Sequence, residues 1–331
     1  MGYYGAGERD MGRGFVRAAM MGAMFGLPGV AAAGGGPWLI GPGDQSLYLG
    51  LDSQRITKLF VQVGGERQAV DVDSRISTLS AKAALTYGLG GRFEIEGIVP
   101  WSRVWMARDD LAPCGTGLGL EACRTTQGIG IMEARLKMLV ADELSGSPLS
   151  LSIGPHMRFG GLTHRTRARL TNIGEGTTDV GGFVSVGRIG GLGRGYWSGN
   201  LDLTGMYRIP NTRTFPFDSG DQVVPGSEFY AASDVLFSPF SGTDVSFGPT
   251  ASLFWRPFGL DWDAVDLTDP DRFGALRATS PRVGAKLIIR NGARFAFSAS
   301  ALQTVGPVNN PNPFILSAGV SLNGLFTRQR S

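Results

Sequence analysis

One pattern governs the chain from Gly34 onward: segments of about ten to thirteen residues in which apolar residues alternate with small or polar ones. It is plainest at 132–140, where Met132, Ala134, Leu136, Met138 and Val140 interleave with Glu133, Arg135 and Lys137. Extended, that stretch has an oily face and a charged face, whereas a helix would mix the two sets around its surface. Such a strand belongs between lipid and a polar interior. The alternation predicts strands at 46–57, 78–89, 92–105, 128–140, 149–159, 178–188, 196–209, 228–237, 245–256, 281–290, 293–304 and 314–326.

The connections constrain the fold further. Gly90-Gly91 and Asn291-Gly292 read as two-residue hairpin turns, and 141–148, 189–195 and 238–244 are also short. Between them fall polar stretches at 58–77, 106–127, 160–177, 210–227 and 257–280, with a shorter one at 305–313. Strict alternation of short and long connections is the arrangement of periplasmic turns and extracellular loops, and a β-sandwich has no reason to adopt it. The expected fold is all-β: a transmembrane antiparallel up-and-down barrel of about 12 strands with both termini on the periplasmic side.

The aromatics sort with this orientation. Tyr87, Phe93, Trp197, Phe237, Phe247, Phe295 and Phe326 fall at the ends near the short turns. Trp101, Phe159, Tyr207, Phe229, Trp255 and Phe314 fall at the opposite ends, all on the apolar parity of their strands. Two interfacial girdles result, because amphipathic rings favour the headgroup level.

The N-terminus reads as an export signal. Arg13 and Arg17 supply a positive region, Ala18 to Val30 an uncharged core, and Ala31-Ala32-Ala33 a small-residue cleavage site. The chain divides into a cleavable signal peptide (1–33), a short periplasmic segment (34–45) and the barrel (46–331). Nothing in the short stretch from Gly34 to Gln45 reads as a hatch domain. Charged residues are 18% of the chain and the net charge is +3, too little to argue for nucleic acid. The expected partners are outer-membrane lipid, small-molecule solutes and the barrel-insertion machinery, which would recognise a last strand ending in Phe326; the expected state is a monomer.

Three stretches resemble a known family: LTYGLGGRFEIEGIVPW (85–101), QGIGIMEARLKMLVADE (127–143) and TNIGEGTTDVGGFVSVG (171–187). They are similar to the hairpin with a Pro-aromatic element, the Gly-X-Gly strand opening and the Gly-Thr-Asp strand opening of the meta-pathway phenol-degradation outer-membrane family. The chain departs from the family pattern at Ile131-Met132, where an Asp would follow Gly130. The resemblance implies an outer-membrane barrel of channel or transporter type and no catalytic residues.

Candidate chemistry lies on the inward parity: Lys82, Glu94, Glu96, Glu133, Arg135, Lys137, His156, Arg158, Asp202, Arg208 and Lys286. Glu94 and Glu96 share one face about 7 Å apart, as an acid–base pair would, but cations on neighbouring strands favour an internal salt-bridge network. His156 would face the lumen and His164 a surface loop; neither has a Ser pattern that a lipase or protease would need. Cys114 and Cys123 bracket GTGLGLEA in one long loop and read as a disulfide. No metal site, cofactor motif, GxSxG elbow or HExxH motif occurs. The expected function is a channel for passive passage of small solutes of apolar or aromatic character. The alternatives are an outer-membrane enzyme of protease or lipase type and a structural or surface-display barrel with no open pore.

Overall fold

The alternating segments become strands because their polar side chains turn into a shared lumen while their apolar ones turn outward to hydrocarbon. In the computed structural model, residues 36–107, 125–160, 177–209, 226–239, 245–259, 276–292 and 294–324 are described. The strands are β1 (Gln45–Val63), β2 (Glu66–Gly90), β3 (Phe93–Ala107), β4 (Thr125–Ile129), β5 (Met132–Ala141), β6 (Ser150–Phe159) and β7 (Thr178–Leu192). They continue with β8 (Gly195–Ile209), β9 (Glu228–Ser238), β10 (Val245–Arg256), β11 (Ala278–Asn291), β12 (Phe295–Thr304), β13 (Asn310–Pro311) and β14 (Phe314–Asn323). Every neighbouring pair is antiparallel, and β1 pairs with both β2 and β14, which closes the sheet.

The barrel has twelve staves. β4 and β5 both pair with β3 and form one stave, interrupted at Gly130-Ile131. β13 is a two-residue bridge to the upper part of β1. Outward positions such as Leu49, Leu85, Ile95, Val99, Leu136 and Leu203 are more than one-third exposed. An apolar belt around a closed barrel is stable only against hydrocarbon, so the chain spans a membrane as bacterial outer-membrane barrels do. Tyr87, Phe93, Trp101, Tyr207 and Trp255 are exposed on the outer wall. Trp197 is half-buried against Gly190 and Gly199, and Phe326 lies outside the described residues.

Two features differ from the sequence expectation. The stretch 58–77 is not a polar loop: β1 and β2 run on as one long hairpin closed at Gly64-Gly65, with φ of 59° and 85°. Two successive positive φ values are what a type I′ hairpin turn requires. A register shift between Ile56 and Lys58 moves the buried set from the even positions to Leu59 and Val61, so the alternation breaks in sequence while the strand continues.

The second difference is the N-terminal segment. Gly36 to Asp44 does not hang below the barrel but folds against its inner wall near the short turns. There Gly43 N donates to Gly88 O at 2.8 Å and Gly88 N donates to Asp44 O at 3.1 Å. Lumen groups far away in sequence fix its course, so local periodicity carries no trace of it.

Candidate functional site: the barrel lumen

At the end near the short turns, the N-terminal segment crosses the lumen. Trp38 Nε1 donates to Glu143 Oε1 at 3.0 Å, and Ile40 N donates to Glu94 Oε2 at 2.9 Å. Lys137 Nζ reaches the carbonyls of Gly36 and Trp38 at 3.3 and 3.4 Å and pairs with Glu94 at 3.0 Å. Glu94 and Lys137 thus share one task, tying the segment to the wall. The segment also bounds a cavity of about 700 Å³. Trp38, Ile40, Tyr48, Leu236 and Ile288 give it apolar surface, and Asp234, Lys286 and Arg290 give it charge.

Around the middle, charges pair across adjacent or nearby strands. Lys82 meets Asp52 at 3.1 Å, and Lys286 meets Asp234 at 2.6 Å. Asp202 accepts a hydrogen bond from the Ser185 hydroxyl. Arg135 lies between Glu133 at 3.1 Å and Glu96 at 3.7 Å, and His156 Nε2 is 2.9 Å from Glu133. The cross-strand register Glu96↔Arg135↔His156 sets this group. Glu96 thus faces a cation on the neighbouring strand, while Glu94 faces Lys137. Among the described residues, no hydroxyl is hydrogen-bonded to His156, and His164 lies outside them.

Toward the long loops the lumen is crossed by a denser cluster. Arg158 pairs with Asp179 at 2.6 Å and Glu228 at 3.0 Å. Arg208 pairs with the same two carboxylates at 3.7 and 3.2 Å, and Arg256 with Glu228 at 2.5 Å. The Tyr230 hydroxyl donates to Glu228 and accepts from Arg158. Arg208, Arg256, Asp179 and Glu228 are all essentially without solvent exposure. Burying such charges is tolerable only because each has several partners.

Of the inward residues identified from sequence, Lys82, Glu94, Glu96, Glu133, Arg135, Lys137, His156, Arg158, Asp202, Arg208 and Lys286 all make the inner-face contacts above. The structure adds Asp52, Asp179, Glu228, Tyr230, Asp234, Arg256, Arg282 and Arg290. Strand parity could have found them, since 228, 230 and 234 share one face of β9 and 282, 286 and 290 one face of β11. Cys114 and Cys123 lie outside the described residues.

No protein-family profile and no curated protein matches the sequence. Solved structures do. The COG4313 outer membrane channel from Pseudomonas putida F1 superimposes with a TM-score of 0.63 at 14% identity, covering 88% of this chain and all (100%) of that one. The TodX monoaromatic hydrocarbon channel, as its ΔS2S3 mutant, gives 0.38 at 9% identity over 87% of this chain and 91% of that one. The translocator domain of the autotransporter NalP from Neisseria meningitidis gives 0.40 at 12% identity over 95% of both chains. The chain therefore shares the barrel fold of an outer-membrane channel.

Proposed function

We propose that the protein is an outer-membrane channel for the passive passage of small solutes. One observation carries the reading: the interior is not a packed apolar core but a polar lumen holding a cavity of about 700 Å³. Eight strands leave room only for side chains, and sixteen or more leave an open aqueous channel; twelve give a lumen that side chains line and narrow. Mutual pairing neutralises most of the wall charges, so a solute crossing it meets fixed dipoles and paired ions rather than one strong field. Trp38, Tyr48, Leu236 and Ile288 on the cavity wall suit a solute with an aromatic or aliphatic body.

Uptake by liposomes tests the reading. Vesicles carrying the purified protein should swell faster than protein-free vesicles in arabinose and amino-acid solutions, and much less in disaccharides. Rates equal to those of protein-free vesicles for every solute would refute it.

A further inference from the structure

Among the described residues most lumen charges are ion-paired, and two cations that are not lie on a single strand. β11 presents Ser280, Arg282, Gly284, Lys286, Ile288 and Arg290 to the interior, so a cation recurs at every fourth residue. At a strand rise of about 3.3 Å per residue, successive cations are about 13 Å apart along the strand. Only the middle one has a carboxylate partner among the described residues, the Lys286–Asp234 pair at 2.6 Å. Arg290, on the cavity wall, donates to two neutral hydroxyls, Ser246 Oγ at 3.0 Å and Tyr196 OH at 3.4 Å.

Arg282 is the sharper case. The residue is 6% exposed, and among the described residues its guanidinium makes no hydrogen bond and no ion pair; its Nε is buried without a partner. Two hydroxyls beside it are in the same condition: Ser252 Oγ, directly across in the register, and Ser280 Oγ, the next inward position on β11. Three groups able to donate to an anion thus converge on one patch of wall. The register sets Thr304 opposite Arg282 on β12, its hydroxyl already donating to Pro313 O, and apolar, nearly fully buried side chains lie on nearby staves: Phe254 on β10, Leu302 on β12 and Ile315 on β14. A cation left in such surroundings is costly, and an anion that brings its own apolar body removes the cost.

We propose that the inner face of β11 is an anion path whose occupant is a small organic monocarboxylate with an aromatic or aliphatic body. Its carboxylate binds Arg282 with Ser252 and Ser280, while its body lies against Phe254 and Leu302. It then passes Lys286, whose charge Asp234 already moderates, and reaches Arg290 in the cavity beside Trp38. Several sites of moderate strength in series let a solute leave as readily as it binds. The passage step rests on the channel reading; the Arg282 site does not.

The test uses the purified full-length protein in planar bilayers and, separately, in detergent. A KCl gradient should give a reversal potential showing anion preference, and sodium benzoate should block chloride current saturably. Neutral benzamide and inorganic phosphate at equal concentration should block far less. Arg282→Gln and Arg290→Gln should each raise the half-blocking benzoate concentration at least tenfold, whereas Arg194→Gln, in an exposed turn, should not. Arg282→Gln removes an unpaired buried charge and so should fold normally, as heat-modifiable migration on gels would show. Cation preference, equal block by benzamide or phosphate, or unchanged block in both lumen variants overturns the proposal. An electrically silent protein that binds benzoate by calorimetry, with the heat lost in Arg282→Gln, upholds the site and defeats the channel reading. Absence of benzoate heat in the wild type defeats the site itself.

Discussion

Glu228 is the carboxylate on which the upper lumen depends most, and Glu228→Gln isolates its charge while keeping its shape. Three guanidiniums converge on it, from Arg256 at 2.5 Å, Arg158 at 3.0 Å and Arg208 at 3.2 Å, with the Tyr230 hydroxyl as a fourth donor. Each such contact is worth about 4 kcal/mol at an effective dielectric constant near 20. Desolvation of the carboxylate offsets several kcal/mol of that sum. After the substitution, Asp179 still pairs with Arg158 and Arg208, but all three arginines lose the carboxylate they share, so buried charge with less compensation governs the net cost. We expect a loss of about 3–5 kcal/mol.

Removing one cation as well should recover much of it. Glu228→Gln/Arg256→Gln should cost about 2 kcal/mol less than the two single variants added together, because the pair leaves jointly. Urea titrations of folding into lipid vesicles, followed by tryptophan fluorescence, supply the three differences. A single-variant loss below about 1 kcal/mol, or strict additivity, would refute the view that this cluster is a mutually neutralised unit.

Leu136→Arg should lose about 2–4 kcal/mol in the same titration, since Leu136 faces lipid opposite Ile95. A loss below about 0.5 kcal/mol would put the register of β5 in error by one residue. Arg135→Gln, which leaves Glu96 and Glu133 short of their cation, should cost stability too, but its loss should shrink in an Arg135→Gln/Glu133→Gln double variant. Full additivity there would contradict the pairing. Gly154→Ala should disrupt β6, because an added Cβ would come within 1.7 Å of the Leu136 carbonyl oxygen; normal folding yield would contradict that packing. Cys114 and Cys123 should form a disulfide within their loop, so protein extracted without reductant should carry no free thiol by Ellman titration; two titratable thiols would refute the bond.

What the sequence made legible follows from where the membrane acts. Between the two aromatic levels, lipid demands an apolar residue at every second position, and the staves around Leu136, Val184 and Leu203 therefore read cleanly. Above that level the demand lapses. The β1–β2 hairpin continues through Lys58 and Gln62 with its parity reversed at a bulge, and local alternation stops reporting it. Glu94 and Lys137 were legible as inward charges, but not as the anchors of the N-terminal segment, since those contacts join residues 54 to 101 positions apart. The cluster at Glu228 depends on the register of five successive strands, β6 to β10, which brings together side chains about a hundred residues apart in sequence. Arg282 could be placed on a face from parity alone; that it has no ion pair there among the described residues could not.

A lumen that conducts and is narrowed by Gly36 to Asp44 has a direct electrical signature. Single-channel recording in planar bilayers tests both properties in one comparison, between the intact protein and a variant lacking only residues 36–43. The intact protein should give discrete, small steps and the variant clearly larger ones, because its cavity would open directly at the end near the short turns. Absence of steps in both proteins, or steps of equal size in the two, would contradict it.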